Sequence, residues 1–332
     1  MPRLFSGIQP TGEPHLGNYF GAFINWVALQ EQYDAIYCIV DYHAITQDYD
    51  TDVMPQMVWE LAAILLSCEI NPDKCTLFVQ SHIPQHTELA WVYSTVAQMG
   101  RLTNMTQFKE KSQDQAENIN LGLLAYPVLQ AADILLYKAE AVPVGEDQLQ
   151  HLELTREIAR KYNARFGETF PEPKGHTTKT PKVLGLDGER KMSKSLGNQI
   201  GLLDSSETVW QKLAPAPTDS ARIKRTDPGD PKICNIFSYH GLISPSETVA
   251  WADEGCRSAG IGCIDCKKAL AKEMDTLLGP IQARYSELEA KPDDVRVVLE
   301  AGAAKCRPVA EETMEEVRGS MGLNLVGPPP TR

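Results

Sequence analysis

The sequence lacks any long apolar run. Stretches such as Leu61–Leu66 are far shorter than the roughly 20 residues that cross a bilayer, so no membrane span is expected. Positive charge is also scarce: 32 Lys and Arg stand against 44 Asp and Glu, a net charge of −12, which argues against a general DNA-coating or nucleic-acid-binding protein. No internal repeat is present. Met1-Pro-Arg leads straight into an apolar strand pattern, leaving no room for a signal or transit peptide, and cytoplasm is the expected compartment. What remains is the composition of a soluble globular chain, 42% hydrophobic and 23% charged over 332 residues, long enough for a full core and two lobes.

The scarce positive charge is concentrated. Between Thr155 and Ser195 ten Lys and Arg face five Asp and Glu. A local basic face on an acidic chain suits a polyanionic partner that touches one side only. Near the N-terminus, an apolar strand start (Leu4, Phe5) breaks at Gly7, turns through Pro10-Thr11-Gly12 and reaches His15-Leu16-Gly17-Asn18. The run Phe20, Phe23, Ile24, Val27 then has helical spacing. A glycine-rich turn entering a helix is an anion site, because its amides are unpaired and the helix dipole favours negative charge. A second stretch, Lys191-Met192-Ser193-Lys194-Ser195, follows Val183, Leu184 and Leu186 and precedes a glycine, a pattern for a polyphosphate-binding loop.

Elsewhere the pattern alternates strands with helices. Strands are expected at Ala35–Val40, Leu77–Val79, Val142–Val144 and Lys182–Leu186, and helices at Met54–Cys68, Glu88–Met99, from Tyr126 onward, and at Leu149–Phe166. Thr106–Asn118 and Phe170–Lys182 read as loops. After about Gly201 the helices Lys267–Leu278, Ile281–Leu288 and Val297–Met321 are expected. Asp41-Tyr42-His43 and Gly145-Glu146-Asp147-Gln148 fall at carboxyl ends of strands, where ligands collect in open parallel sheets.

Of eight cysteines, Cys38, Cys68, Cys75 and Cys306 lie in or beside apolar elements and read as core residues. Cys234, Cys256, Cys263 and Cys266 are separated by twenty-one, six and two residues. Zinc, a [4Fe–4S] cluster and buried thiols are all open on spacing alone.

His-Leu-Gly-Asn (15–18) and Lys-Met-Ser-Lys-Ser (191–195) resemble the two signatures of the class I aminoacyl-tRNA synthetases. Asn18 stands where the first signature usually ends in His. With Ser6-Gly-Ile-Gln-Pro-Thr-Gly12, Cys38–Thr46, Met105–Ser112, Ala131–Tyr137 and Val142–Gln148, the chain resembles the bacterial tryptophanyl branch of that family along nearly its whole length. The resemblance implies an α/β fold: a Rossmann-like doubly wound parallel sheet over 1–200, with a dimer-forming insertion near 83–130. A helical anticodon-recognition domain over 201–332 would carry the four cysteines. It implies ATP-dependent charging of tRNA(Trp) with tryptophan by a homodimer, with Mg²⁺ on the phosphates.

On the same ground, Gln9, Pro10, Thr11, His15, Gly17, Asn18, Gly145, Glu146, Asp147, Val183, Met192 and Ser193 would bind ATP. Lys111, Lys191, Lys194 and Ser195 would serve catalysis, the last three also touching ATP. Phe5, Gly7, His43, Gln130, Asp133, Val142, Val144 and Gln148 would line the tryptophan pocket, Asp133 accepting the indole N–H. A subset of the family holds a [4Fe–4S] cluster on a similar four-cysteine pattern, with Zn²⁺ as the alternative here, and Lys267 and Lys268 beside the last cysteine could meet anticodon phosphates. Gln130 stands where many bacterial tryptophan enzymes carry Met and the tyrosine enzymes carry Gln, so a tyrosyl-tRNA synthetase is the runner-up. A tRNA-independent nucleotidyltransferase or a silent paralogue of the superfamily are the alternatives of another class.

Overall fold

A computed structural model of the chain describes residues 1–114, 118–145, 148–177 and 183–323. Five strands, β1 (Arg3–Ile8), β2 (Asp34–Ile39), β3 (Thr76–Val79), β4 (Ala141–Val144) and β5 (Lys174–Thr177), form one parallel sheet in the order β3-β2-β1-β4-β5. Leu4 lies opposite Ala35 and Ile8 opposite Ile39. β2 is buried along Ala35–Ile39, as a strand covered on both faces must be. The chain steps outward from β1 to β3, then returns to add β4 and β5 on the other side. At that reversal the connections leaving β1 and β4 diverge and open a crevice at their carboxyl ends.

In chain order the helices are α1 (Leu16–Asn18), α2 (Ile24–Leu29), α3 (Asp41–Ala44), α4 (Met54–Ser67), α5 (Gln85–Ser94), α6 (Met99–Thr103), α7 (Thr106–Asp114) and α8 (Leu121–Leu136). They continue with α9 (Leu149–Phe166), α10 (Ser206–Leu213), α11 (Asn235–Ile243), α12 (Ser246–Arg257), α13 (Cys263–Glu289) and α14 (Pro292–Met321). A π-helical turn, Tyr19–Phe23, joins α1 to α2.

Four sequence expectations are corrected. Lys174–Thr177, expected in a loop, is β5, paired among the described residues with β4 alone, and such an edge strand needs no continuous apolar pattern. The stretch from Val183 to Leu186 carries a single bridge, Leu184 to Lys191, rather than a strand; Lys182 lies outside the described residues. Thr106–Asp114 is helical rather than a loop. Pro127 and Pro280 sit inside α8 and α13 rather than marking their starts or ends; α8 begins at Leu121, after Asn120, whose side chain accepts from Leu123 N–H and caps the helix.

Two cores flank the sheet. One joins Leu61 and Leu65 of α4 to Leu270 and Met274 of α13; the other joins Leu135 of α8 and Ile158 of α9 to Cys38 and Phe78. α14 belongs to both: Val295 and Leu299 pack in the first, Ala303, Cys306 and Ala310 in the second. Between them Gly302 lies so close to β3 that a Cβ there would fall 1.9 Å from the Leu77 carbonyl oxygen. The helix thus crosses the outer edge of the sheet with backbone against backbone. Gly302→Ala should force α14 off β3 and destabilise the chain by roughly 1–3 kcal/mol, read as a lower urea midpoint. An unchanged midpoint would show that the helix can shift freely.

Candidate active site

The crevice holds a cavity of about 480 Å³ lined by residues from both sides of the reversal, within the size range of small-molecule sites. All eight residues expected to line a tryptophan pocket border it, as do Gln9, Asn18, Gly145, Lys111 and Lys191. β1 supplies Phe5 and Gly7. Gly7 is required there, because a Cβ would meet Val40 Cγ1 at 2.8 Å. β4 supplies Val142 and Val144, α3 supplies His43, and α8 supplies Gln130 and Asp133.

Asp133 is almost completely buried. Its Oδ2 lies 2.6 Å from His43 Nε2; its Oδ1 accepts from Gln80 Nε2 at 2.6 Å and lies 2.7 Å from His86 Nδ1. Burial alone would raise its pKa. The charge and hydrogen bond of His43, with those of His86, outweigh burial and hold the carboxyl down at about 2. Among the described residues of the lining, Asp133 is the one carboxylate, so the cavity offers an anionic acceptor on a wall of mixed apolar and polar side chains. Gln130 Nε2 donates to Gln148 Oε1 at 3.4 Å, tying α8 to the loop after β4.

A second cavity of about 770 Å³ adjoins the first, sharing Ile8, Gln9 and Asn18, and is lined further by Thr11, His15, Ser193 and Lys194. Its floor is the signature turn. His15 caps α1: its Nδ1 accepts from Gly17 N–H at 3.1 Å, while Asn18 Oδ1 accepts from His15 N–H at 3.0 Å. Gly17 is required, since a Cβ would sit 2.9 Å from the His15 ring. Burial, reinforced by Lys191, pushes the His15 pKa down to about 4, so near neutrality the ring is uncharged and Nδ1 can accept.

Asn198 shapes the lysine-serine loop from behind. Its Oδ1 accepts from Ser193 N–H at 2.8 Å and its Nδ2 donates to Asp187 Oδ2 at 2.8 Å. Gly185 leaves the space for it, a Cβ there falling 2.0 Å from Asn198 Nδ2. Lys191 and Lys194 are thereby presented exposed at the mouths of the two cavities.

Other expected site residues fall differently. Met192 and Val183 are core residues, buried beneath the loop. Pro10 and Gly17 border neither cavity. Glu146, Asp147 and the side chain of Ser195 lie outside the described residues. Lys111 projects from α7 into the first cavity, its Nζ 4.4 Å from the Tyr126 ring centroid, and burial lowers its pKa. Tyr126 also meets His151 Nε2 at 3.1 Å. Sequence reading missed Gln107 and Tyr126 in the lining, and Gln80 and His86 behind it. Only the contacts of the fold bring these together.

The four late cysteines converge on a small cavity of about 20 Å³ between α11, α12 and the first turn of α13. Among the described residues, however, no three His, Cys, Asp or Glu side chains stand close enough to hold a metal ion. Arg222 Nη1 lies 4.0 Å from Cys256 Sγ and 3.9 Å from Cys263 Sγ, and its buried Nε has no hydrogen-bond partner among the described residues. Lys267 does not reach outward as expected. It is buried, its Nζ donating to the carbonyls of Ala214 and Ala216 at 2.6 Å each.

The chain matches the family described as tRNA synthetases class I (W and Y) over residues 1–279. It is 53% identical over 328 residues to a tryptophan–tRNA ligase of Deinococcus radiodurans, covering 97% of this chain and 99% of that one. A tryptophan–tRNA ligase of Thermotoga maritima is 45% identical over 326 residues, with 97% and 99% covered. The crystal structure of a tryptophanyl-tRNA synthetase from Campylobacter jejuni, complexed with ADP and tryptophan, superposes with a TM-score of 0.89 at 35% identity. It covers 97% of this chain and all of that one. By sequence and by fold, the chain belongs to the class I tRNA synthetases of the tryptophan and tyrosine family, on their bacterial tryptophanyl branch.

Proposed function

We propose that the chain activates L-tryptophan with ATP to tryptophanyl-adenylate and transfers the aminoacyl group to tRNA(Trp), releasing pyrophosphate and AMP. The observation that carries this reading is the buried, ionised Asp133 on the wall of the first cavity. Indole N–H is a donor only, and a buried donor needs an acceptor aimed at it. Phe5, Gly7, His43, Gln130, Val142, Val144 and Gln148 shape the remainder of the amino acid site. Gln9, Thr11, His15 and Asn18 hold the nucleotide in the second cavity.

No covalent intermediate is needed, so the residues act by positioning and by charge. The tryptophan carboxylate attacks the α-phosphate, and Lys111, Lys191 and Lys194 neutralise the departing pyrophosphate. Mg²⁺ entering with ATP would add positive charge beside these three lysines. Amino-acid-dependent pyrophosphate exchange, run with tryptophan, tyrosine and no amino acid, tests the reading. Exchange stimulated by tryptophan alone is expected. Stimulation by tyrosine would install the tyrosyl alternative, and exchange without amino acid would remove both.

Residues 1–200 would form the catalytic unit and 201–332 the anticodon reader. Trp91, Met99, Ile119 and Leu121 are exposed within the 83–130 insertion, which supports a homodimer through that surface. No helix among the described residues is long and apolar enough to cross a membrane, in keeping with cytoplasmic work on tRNA. The four late cysteines would hold a [4Fe–4S] cluster, with Zn²⁺ as the alternative. Their convergence and the unpartnered Arg222 Nε beside them fit an anionic thiolate-bound group, which would bring the thiols into ligand geometry as it binds and serve to shape the lobe. Protein purified without oxygen should be brown and carry about four irons per chain; colourless protein with one zinc, or with no metal, sinks the cluster.

A further inference from the structure

The Asp133 carboxylate is unevenly committed. Among the described residues, Oδ1 takes two donors, Gln80 and His86, whereas Oδ2 meets only His43. A carboxylate oxygen accepts about two hydrogen bonds, so Oδ1 is filled and Oδ2 keeps one lone pair. An ionised carboxylate accepts only, and the protons follow from that. His86 Nδ1–H donates to Asp133, so in a neutral ring His86 Nε2 must accept. Its partner is the Tyr137 hydroxyl, 2.8 Å away, which therefore donates. These tautomers are assigned from the network, and they form one directed chain from Tyr137 through His86 to Asp133.

His86 is fully buried and borders no part of the cavity. Its ring stacks on Phe78 at 5.9 Å and lies 5.4 Å from Tyr137. Helix α5, which carries it, is fastened to α14: Gln85 donates to Glu311, and Arg318 makes two bonds, of 2.7 and 2.6 Å, to Glu88.

We propose that His86 is the positioning residue for indole recognition: held in one tautomer by Tyr137, it occupies Oδ1 of Asp133 and leaves Oδ2 as the oxygen that reads the indole N–H. This rests on the reading of Asp133 as the indole acceptor. The titratable groups around Asp133 are His43 from α3, His86 from α5, Tyr137 at the end of α8 and Cys38 from β2. Removing His86 leaves the buried carboxylate with fewer donors, so it should take up a proton more readily as the pH falls.

The test compares tryptophan with its benzothienyl analogue, in which sulfur replaces the indole N–H, in pyrophosphate exchange by the full chain. The parent should prefer tryptophan, with a kcat/KM level between about pH 6 and 8. His86→Leu should lose roughly tenfold or more of that preference. The loss should lie in the KM for tryptophan, with kcat and the KM for ATP nearly kept, and kcat/KM should decline toward low pH. His86→Asn, which returns an amide donor near the position of Nδ1, should recover most of the preference. Tyr137→Phe should lose a smaller part and serves alone if His86→Leu does not fold. Full preference and a level profile in both His86→Leu and Tyr137→Phe, beside a discriminating parent, would overturn the role of His86. A parent that does not discriminate would overturn the reading of Asp133 itself.

Discussion

Replacing Lys194 by alanine should slow tryptophanyl-adenylate formation by about 10²–10³-fold, the usual cost of removing one preorganised donor to developing charge. Lys194 is exposed on the one-turn 3₁₀ segment Lys194–Leu196, at the mouth of the second cavity. Its stem passes Gly12, where a Cβ would meet Lys194 Cδ at 3.0 Å. Gly12 has φ +78°, a conformation glycine adopts without strain, so the signature turn and the lysine loop approach closely. The ammonium can therefore reach an anion seated above α1. In the role proposed for it, Lys194 meets charge that grows as pyrophosphate leaves, so the loss should fall on the single-turnover rate rather than on tryptophan affinity. An unchanged single-turnover rate with only a raised KM for tryptophan would remove Lys194 from the chemistry.

Asp133→Ala should cost more than recognition. Its carboxylate serves three buried donors, from His43, Gln80 and His86. Removing one partner of a buried charged network typically costs about 3–5 kcal/mol of stability, beyond the roughly 1–3 kcal/mol lost from tryptophan binding when the indole N–H goes unmet. ATP affinity should barely change. The pH dependence has a definite sign. The folded carboxyl titrates at about 2, below its ordinary value of 3.8, so its stabilisation is complete above about pH 4 and is lost as the pH falls toward 2. Acid unfolding of the parent should include this window, and the alanine variant should lack that component. If the two melt with parallel acid limbs, the network is not held by an ionised Asp133.

Much of this site was legible because its chemistry is local in sequence. The turn from Gly7 to Asn18 and the run from Lys191 to Ser195 each place glycine, polar and cationic residues within a few positions, and both border the crevice. The strands up to β4 are apolar runs bounded by turn residues, and their carboxyl ends locate the ligand edge. β5 escaped because Lys-Gly-His-Thr, paired among the described residues with β4 alone, carries no apolar alternation. The prolines misled for a different reason: α8 keeps Pro127 inside a sixteen-residue helix with ten buried residues, where tertiary packing offsets the lost hydrogen bond. Lys267 reads as a surface cation until the carbonyls of Ala214 and Ala216 are seen to enclose it. The partners of Asp133 come from positions 43, 80 and 86 on separate elements, and no spacing rule joins them.

The crossing of α14 over β3 bears on how the chain is made. β3 is the outermost strand on its side of the sheet, and uncovered strand edges pair readily with other chains. The segment that shields it, Pro292–Met321, lies within the last forty-one residues of 332. Synthesis runs from the N-terminus at about 5–20 residues per second, so β1, β2 and β3 leave the ribosome long before their guard does. While the intervening residues are being added, the nascent sheet exposes the backbone around Leu77 and the ring of Phe78 to its surroundings. The chain's vulnerability to misassembly is thus greatest during translation, until α14 is released to cover β3.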